Sequence, residues 1–332
     1  MIRIFQRPRI VASRCVEFDH CRWNGDMIGS NVVRALKGYA EFVPVCPEVE
    51  IGLGVPRKPV RLVASGEGVR LVQPESGMDV TERMRAFSDR YLDAIGDIDG
   101  FILKSRSPSC GTKDVRIYRS PETAQVAEKG RGLFAEAVFS RFPDMPIEDE
   151  GRLRNRQIRE YFLTRLFTLA EFRQVQTSER IRDLQAFHAR NKFLLMAYNQ
   201  GELEHLGRIV ANPDRKAFAE VVQDYRAHLI AALHHPPRYT ATINALMHAF
   251  GHFSDELTPD EKTLFLDTLE RYRQDRVTIC PNLTILRSWI ARFGDEYLGE
   301  QTFFTPFPPD LVEVAPDLSH EGREYREVAP EG

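Results

Sequence analysis

Three short apolar runs near the start of the chain, at 9–13 (RIVAS), 41–46 (EFVPVC) and 98–104 (IDGFILK), alternate with segments of helical spacing. The helical segments lie at 28–40, at 79–96, where Met84, Phe87, Tyr91 and Ile95 share a side, and at about 122–141. Parallel strands need a crossover between them, so this alternation predicts a mostly parallel sheet flanked by helices. Each run leads into a cysteine: Cys15, Cys46, and Cys110 in a Ser/Pro/Cys/Gly turn. Ligands of open α/β sheets sit beyond the carboxyl ends of the strands, so the three cysteines are expected to meet at one sheet edge.

After Glu148 the strand pattern stops. Residues 151–192 read as helical and rich in Arg, Leu and Phe, and further helices are expected at about 200–211, 214–234, 238–254, 259–276 and 281–297. Asn212-Pro213, His235-Pro236-Pro237 and Thr258-Pro259 punctuate them, and Thr258 with Glu261 has the spacing of a capping box. The fold class is therefore an α/β N-terminal domain over 1–150 followed by an all-α domain over 151–302. A tail rich in proline and acids, 303–332, is expected to be extended.

The 332 residues are enough for two domains of ordinary size. No apolar stretch approaches the ~18 uncharged residues of a membrane span, and the N-terminus lacks the apolar core of a signal peptide. The expected location is the cytoplasm, with no membrane partner. A net charge of -3 does not decide about nucleic acid. Between Arg152 and Lys192, however, ten Lys/Arg stand against four acids. Such a segment can bind phosphate or can be a solvated helix face; Arg152, Arg154, Arg156 and Arg159 are its candidate phosphate contacts, and DNA is not an expected partner.

Five cysteines, at 15, 21, 46, 110 and 280, do not suggest a disulfide framework. Three thiolates from strand ends leave several readings open. Structural zinc prefers four ligands with close paired spacings, which are absent. A 4Fe-4S cluster with three protein thiolates would keep one iron open, and inert buried thiols are the plain alternative. By residue type alone Glu48 is as consistent with a surface charge, Ser107 and Ser109 with turn residues, Lys104 with an exposed strand end and Cys280 with a structural role. Of seven histidines between 188 and 252, His248 and His252 have a chelating i, i+4 spacing, but no H-E-x-x-H pattern accompanies them.

Together, Ser13-Arg14-Cys15, Cys46-Pro47-Glu48-Val49 with Gly52-Leu53 and Pro56-Arg57, and Ile102-Leu103-Lys104 with Ser107-Pro108-Ser109-Cys110-Gly111 resemble the TudS family of thiouracil desulfurases. The resemblance covers roughly residues 8–145. The helical part, with Ala186-Phe187-His188-Ala189-Arg190-Asn191-Lys192, looks like the helical domain often fused to that family, as in the RudS proteins that desulfurate 4-thiouridine in tRNA. The resemblance implies a 4Fe-4S cluster on Cys15, Cys46 and Cys110, with one open iron for the thiocarbonyl sulfur. It implies catalytic roles for Glu48 and Ser107, with Ser13, Ser107, Ser109 and Lys104 near the substrate. Free thiouracil or a thiolated nucleoside is the alternative substrate, and a cluster-binding sensor the alternative class. The stretch Val16 to Cys21 departs from the simpler family members and leaves the role of Cys21 open.

Overall fold

A computed structural model describes residues 3–66 and 68–312. In chain order its elements begin with β1 (Arg9–Ser13), α1 (Asn31–Leu36), β2 (Glu41–Val45), α2 (Pro47–Glu50), β3 (Arg61–Ser65), β4 (Gly68–Gln73), β5 (Met78–Asp79), α3 (Thr81–Ala94) and β6 (Gly100–Leu103). They continue with β7 (Val115–Tyr118), β8 (Val126–Gly130), α4 (Leu133–Arg141) and β9 (Ile147–Asp149). The helices α5 (Arg156–Ser178), α6 (Ile181–Tyr198), α7 (Gln200–Ala211), α8 (Phe218–Ala232), α9 (Tyr239–Gly251), α10 (Pro259–Arg273), α11 (Cys280–Phe293) and α12 (Glu296–Gly299) follow.

The first sheet has the order β2-β1-β6-β9 and is parallel throughout. Its middle strands are apolar on both faces, as strands covered on both sides must be. Ile10 and Ile102 join the core lined by α1 and α5, whereas Val11, Phe101 and Leu103 join the core that holds Met84 of α3 and Phe134 of α4. Pro44 sits in β2, an edge position where its missing N–H costs no ladder bond.

A second, mixed sheet has the order β5-β4-β3-β7-β8. The helix expected over 122–141 is therefore corrected: β8 pairs antiparallel with β7, and α4 begins only at Leu133. The sequence VAEKG carries little apolar signal, and pairing with β7 fixes its conformation.

The helical run expected over 151–192 is interrupted. A 3₁₀ turn at Arg152–Arg154 precedes α5, and Glu179 takes a left-handed conformation (φ 53°) between α5 and α6. Asn155 caps α5 by accepting from Ile158 N at 3.1 Å. The first half of α5 lies against the parallel sheet through Leu163 and Leu166, and its second half reaches the helical core through Phe172 and Val175. The fit at β6 is tight: a Cβ on Gly100 would stand 2.8 Å from Pro146 O and 3.0 Å from Leu166 Cδ1. The capping box at Thr258 and Glu261 is formed.

The extended tail expected from 303 onward is corrected at its start. Residues 302–304 and 309–311 form 3₁₀ turns, and Phe303, Phe304, Phe307 and Leu311 are buried, because this stretch supplies aromatic side chains to both cores. Residues 313–332 lie outside the described residues. Among the described residues no helix is long and apolar enough to cross a membrane.

The turn carrying Cys110 is held by the start of α4. Gly132 N, Leu133 N and Ala135 N donate to Gly111 O, Pro108 O and Ser109 O at 2.9, 3.1 and 3.1 Å. These are helix N–H groups with no intrahelical acceptor. A Cβ on Gly132 would fall on the Ser109 carbonyl and stand 2.9 Å from Cys110 N. Gly132→Ala should therefore cost about 1–3 kcal/mol, as overpacking does, read as a lower urea midpoint. An unchanged midpoint would contradict this close approach.

Candidate active site

Parallel pairing of β1 with β2 and β6 brings the three expected cysteines to one end of the sheet. Arg14 N continues the ladder to Val45 O at 2.8 Å, which fixes Cys15 just beyond β1. Cys46 is the N-cap of α2, its carbonyl accepting from Val49 N and Glu50 N, both at 3.0 Å. Cys110 follows β6 in the turn pinned by α4. All three are buried, and all three line one cavity of about 770 Å³.

A fourth thiol, Cys21, lines the same cavity and is 2% exposed. Its thiol lies beside those of Cys15 and Cys46, and its carbonyl accepts from Cys46 Sγ at 3.8 Å. The loop that returns it is anchored by Glu17, whose carboxylate accepts from Ser30 N at 2.6 Å and from Arg34 at 2.7 Å. Contact with the Cys21 thiol, followed by burial, pushes Cys46 above the usual thiol range, and burial does the same to Cys110. Contact with the Cys15 thiol raises Cys21.

Crowded, dehydrated thiols resist ionising together unless a positive group lies among them. Soft sulfur donors converging on one cavity match what an iron–sulfur centre or another thiophilic metal group requires. The residues present therefore fit such a group.

Glu48 lies at the same cavity but is not a surface charge. Its Oε2 accepts from Arg57 Nε at 2.8 Å and pairs with Arg57 Nη2 at 2.7 Å, while its Oε1 accepts from Ser109 at 2.9 Å. Arg57, with a side chain only 5% exposed, also donates to Cys21 O and Gly54 O at 3.0 Å. One guanidinium thus ties the carboxylate to the loop bearing Cys21.

The remaining expected residues divide by contact. Ser13 Oγ accepts from Lys104 N at 2.8 Å, and Ser107 Oγ accepts from Ser109 N and Cys110 N at 3.2 and 3.1 Å, as a turn serine does. Both line the cavity. Ser109 is fully buried and outside the cavity lining, and its hydroxyl donates to Glu48 Oε1. Lys104 is not a bare strand end, since its Nζ meets Glu150 Oε1 at 2.5 Å and Ser105 Oγ at 2.8 Å.

The arginines expected to contact phosphate also separate. Arg152 and Arg154 line the cavity, Arg152 pairing with Glu148 at 2.7 Å. Arg156 pairs with Glu160 and donates to Cys280 Sγ at 2.9 Å. Arg159 is 5% exposed and donates to Leu153 O, in the turn before the α5 cap, and to Val312 O. Much of the basic surplus is used internally, Arg173 on Asp99 and Arg190 on Glu171. His252 pairs with Asp295 rather than with His248.

Residues 10–150 match the family model described as 2-thiouracil desulfurase, and residues 192–308 match one described as a protein of unknown function, DUF1722. The chain is 34% identical over 110 residues to the uncharacterized protein YbbK of Bacillus subtilis (strain 168), covering 31% of this chain and 73% of that one. It is 26% identical over 148 residues to the uncharacterized protein YbgA of Escherichia coli (strain K12), covering 44% of this chain and 88% of that one. Among solved structures it is similar to the [4Fe-4S]-dependent thiouracil desulfidase TudS, at 33% identity and a TM-score of 0.34, covering 44% of this chain and 93% of that one.

The Glu48–Arg57 pair is buried, so removing one partner strands the other. Glu48→Ala should cost about 3–5 kcal/mol, measured as a fall in denaturant midpoint. Glu48→Gln keeps the hydrogen bonds, its amide oxygen accepting from Arg57 while its NH2 donates to Ser109 Oγ, but leaves the guanidinium unneutralised, so most of the loss should remain. A small loss in Glu48→Gln beside a full one in Glu48→Ala would remove the charge pairing from the structural account.

Proposed function

The chain belongs to the 2-thiouracil desulfurase family, and we propose that it is a desulfidase that converts 4-thiouridine in tRNA to uridine with a 4Fe-4S cluster on Cys15, Cys46 and Cys110. The observation that carries the reading is the meeting of these three thiols with Glu48 in one cavity at the carboxyl edge of the parallel sheet. Cys15, Cys46 and Cys110 would hold the cluster, which would supply Lewis-acid chemistry at the thiocarbonyl sulfur.

The chain's residues do the rest. Water adds at C4 of the pyrimidine, the C–S bond breaks, oxygen stays as the carbonyl, and sulfur departs as sulfide. No net electrons are needed. Glu48 takes a proton from the water and returns it to the leaving sulfur or to ring nitrogen. Arg57 and Ser109 hold that carboxylate in place, so it need not reorganise during transfer. Ser107 and Ser13 hold the wall on either side of Cys110, and Lys104 with Glu150 fixes the strand end beside them. Cys21 is left outside the ligand set, a thiol neighbouring two of its members.

Two features favour tRNA over a free base. The cavity is lined by seven Lys/Arg against four carboxylates, and such a surplus attracts phosphate. Arg152 and Arg154, at the entry to the helical part, belong to that lining. A base inside folded tRNA must be extruded to reach a recessed site, and Trp23, 45% exposed and also lining the cavity, offers a face for it to stack on.

Anaerobically reconstituted protein should be brown, absorbing broadly near ~400 nm. Cys15→Ser, Cys46→Ser and Cys110→Ser should each lose colour and turnover, whereas Cys21→Ser and Cys280→Ser should keep iron. Glu48→Gln should keep its colour but turn over ~10²–10⁴-fold more slowly. Full iron in any of the first three variants would exclude that cysteine as a ligand.

Nucleoside mass analysis of tRNA before and after incubation tests the substrate. Loss of 4-thiouridine matched by gain of uridine and sulfide is expected. Unchanged tRNA alongside conversion of free thiouracil would favour the smaller substrate instead. The double variant Arg152→Glu/Arg154→Glu should weaken tRNA binding and flatten its salt dependence by about 0.7–0.9 log units for each phosphate no longer neutralised. It should spare a free thionucleoside; unaltered tRNA affinity would remove this pair from the binding surface.

A further inference from the structure

Away from the cysteine cavity, Glu202 and His205 stand one turn apart on α7, and His228 stands on α8 packed beside it. One donor atom from each of the three lies within 4.8 Å of the other two. His228 Nδ1 is 2.6 Å from Glu202 Oε2, and the rings of His205 and His228 are 5.3 Å apart between centroids. We propose that Glu202, His205 and His228 form a binding site for a zinc-class divalent metal ion that joins α7 to α8.

The donor set is the first argument. Two imidazole nitrogens and one carboxylate oxygen are a set that zinc takes where three protein ligands leave a further position for water. Zinc bonds of about 2.0–2.2 Å to nitrogen and oxygen place tetrahedral donors roughly 3.4 Å apart. The present spacing reaches that by side-chain rotation alone. His205 is exposed and its two partners are half-buried, so rotation meets little packing.

The scaffold is the second argument. Asn199 caps α7 by accepting from Glu202 N at 3.2 Å, which fixes the backbone of the carboxylate donor. Beneath the three residues, Leu203 and Leu206 of α7 and Val221, Tyr225 and Leu229 of α8 share one core. That core sets the distance between the helices before any ion arrives. A bare ion pair between Glu202 and His228 would explain two of the three residues but gives no role to His205.

The test uses the full chain with its iron–sulfur centre installed, so that the cavity thiols are engaged, dialysed against zinc chloride and analysed for metal. Wild type should hold one zinc equivalent more than His205→Ala and His228→Ala. Zinc should raise the melting temperature of wild type alone, since an ion bound only by the folded state stabilises it. His205→Ala leaves the Glu202–His228 pair intact, so its loss of zinc separates a metal site from an ion pair. Circular dichroism and desulfidase turnover, expected unchanged, report that the variants fold. The triple variant Cys15→Ser/Cys46→Ser/Cys110→Ser should retain the same equivalent. Equal zinc uptake in wild type and His205→Ala, or loss of the equivalent in the cysteine variant, would overturn the proposal while leaving the desulfidase reading untouched.

Discussion

In a parallel ladder every strand delivers its carboxyl end to the same edge. Pairing of β1 with β2 on one side and β6 on the other therefore brings Cys15, Cys46 and Cys110 together although they are far apart in sequence. The apolar faces of β1 and β6 hold that ladder between helices. The segments beyond the strands then need only short-range fixtures: the α2 N-cap for Cys46, the start of α4 for the Cys110 turn, and the buried carboxylate of Glu17 for the loop to Cys21.

Charge organises the edge so formed. Four buried thiols and the Glu48 carboxylate share one cavity, with Arg57 as the cation directly on Glu48. The same guanidinium reaches the Cys21 carbonyl, so the geometry of the Glu48 carboxylate and of the thiol loop are set together. Lys104 and Glu150 form a second, partly buried pair at the end of β6. These pairs fix positions at a cost in dehydration, which is tolerable where the position of a reacting group matters more than the free energy of the pair.

The sequence carried the signal wherever one segment's own pattern decides its structure. The continuous apolar runs of β1 and β6, the Asn-Pro and Thr-Pro breaks between helices and the capping box at Thr258 are such cases. It misled at β8, whose exposed VAEKG is a strand only through its partner β7, and at the start of the tail, where Phe303, Phe304 and Phe307 outweigh the prolines around them. Within the site, the cysteines were legible from where the strands end. Arg57, Glu150 and the inward turn of Cys21 were not, because a lone arginine, glutamate or cysteine does not reveal which charge or thiol the fold sets against it. The basic count over 152–192 overstated the free surface for the same reason: Arg159, Arg173 and Arg190 are consumed by carbonyls and carboxylates supplied from elsewhere.

The central claim is that three strand-end thiols hold a cluster whose remaining iron meets the substrate sulfur. Mössbauer spectra of protein reconstituted with ⁵⁷Fe, recorded before and after adding a thiolated uridine, test it most directly. The account predicts that a single iron site responds to the thionucleoside, in wild type and in Cys21→Ser alike. Spectra that do not change on addition, or a response that disappears with Cys21, would contradict it.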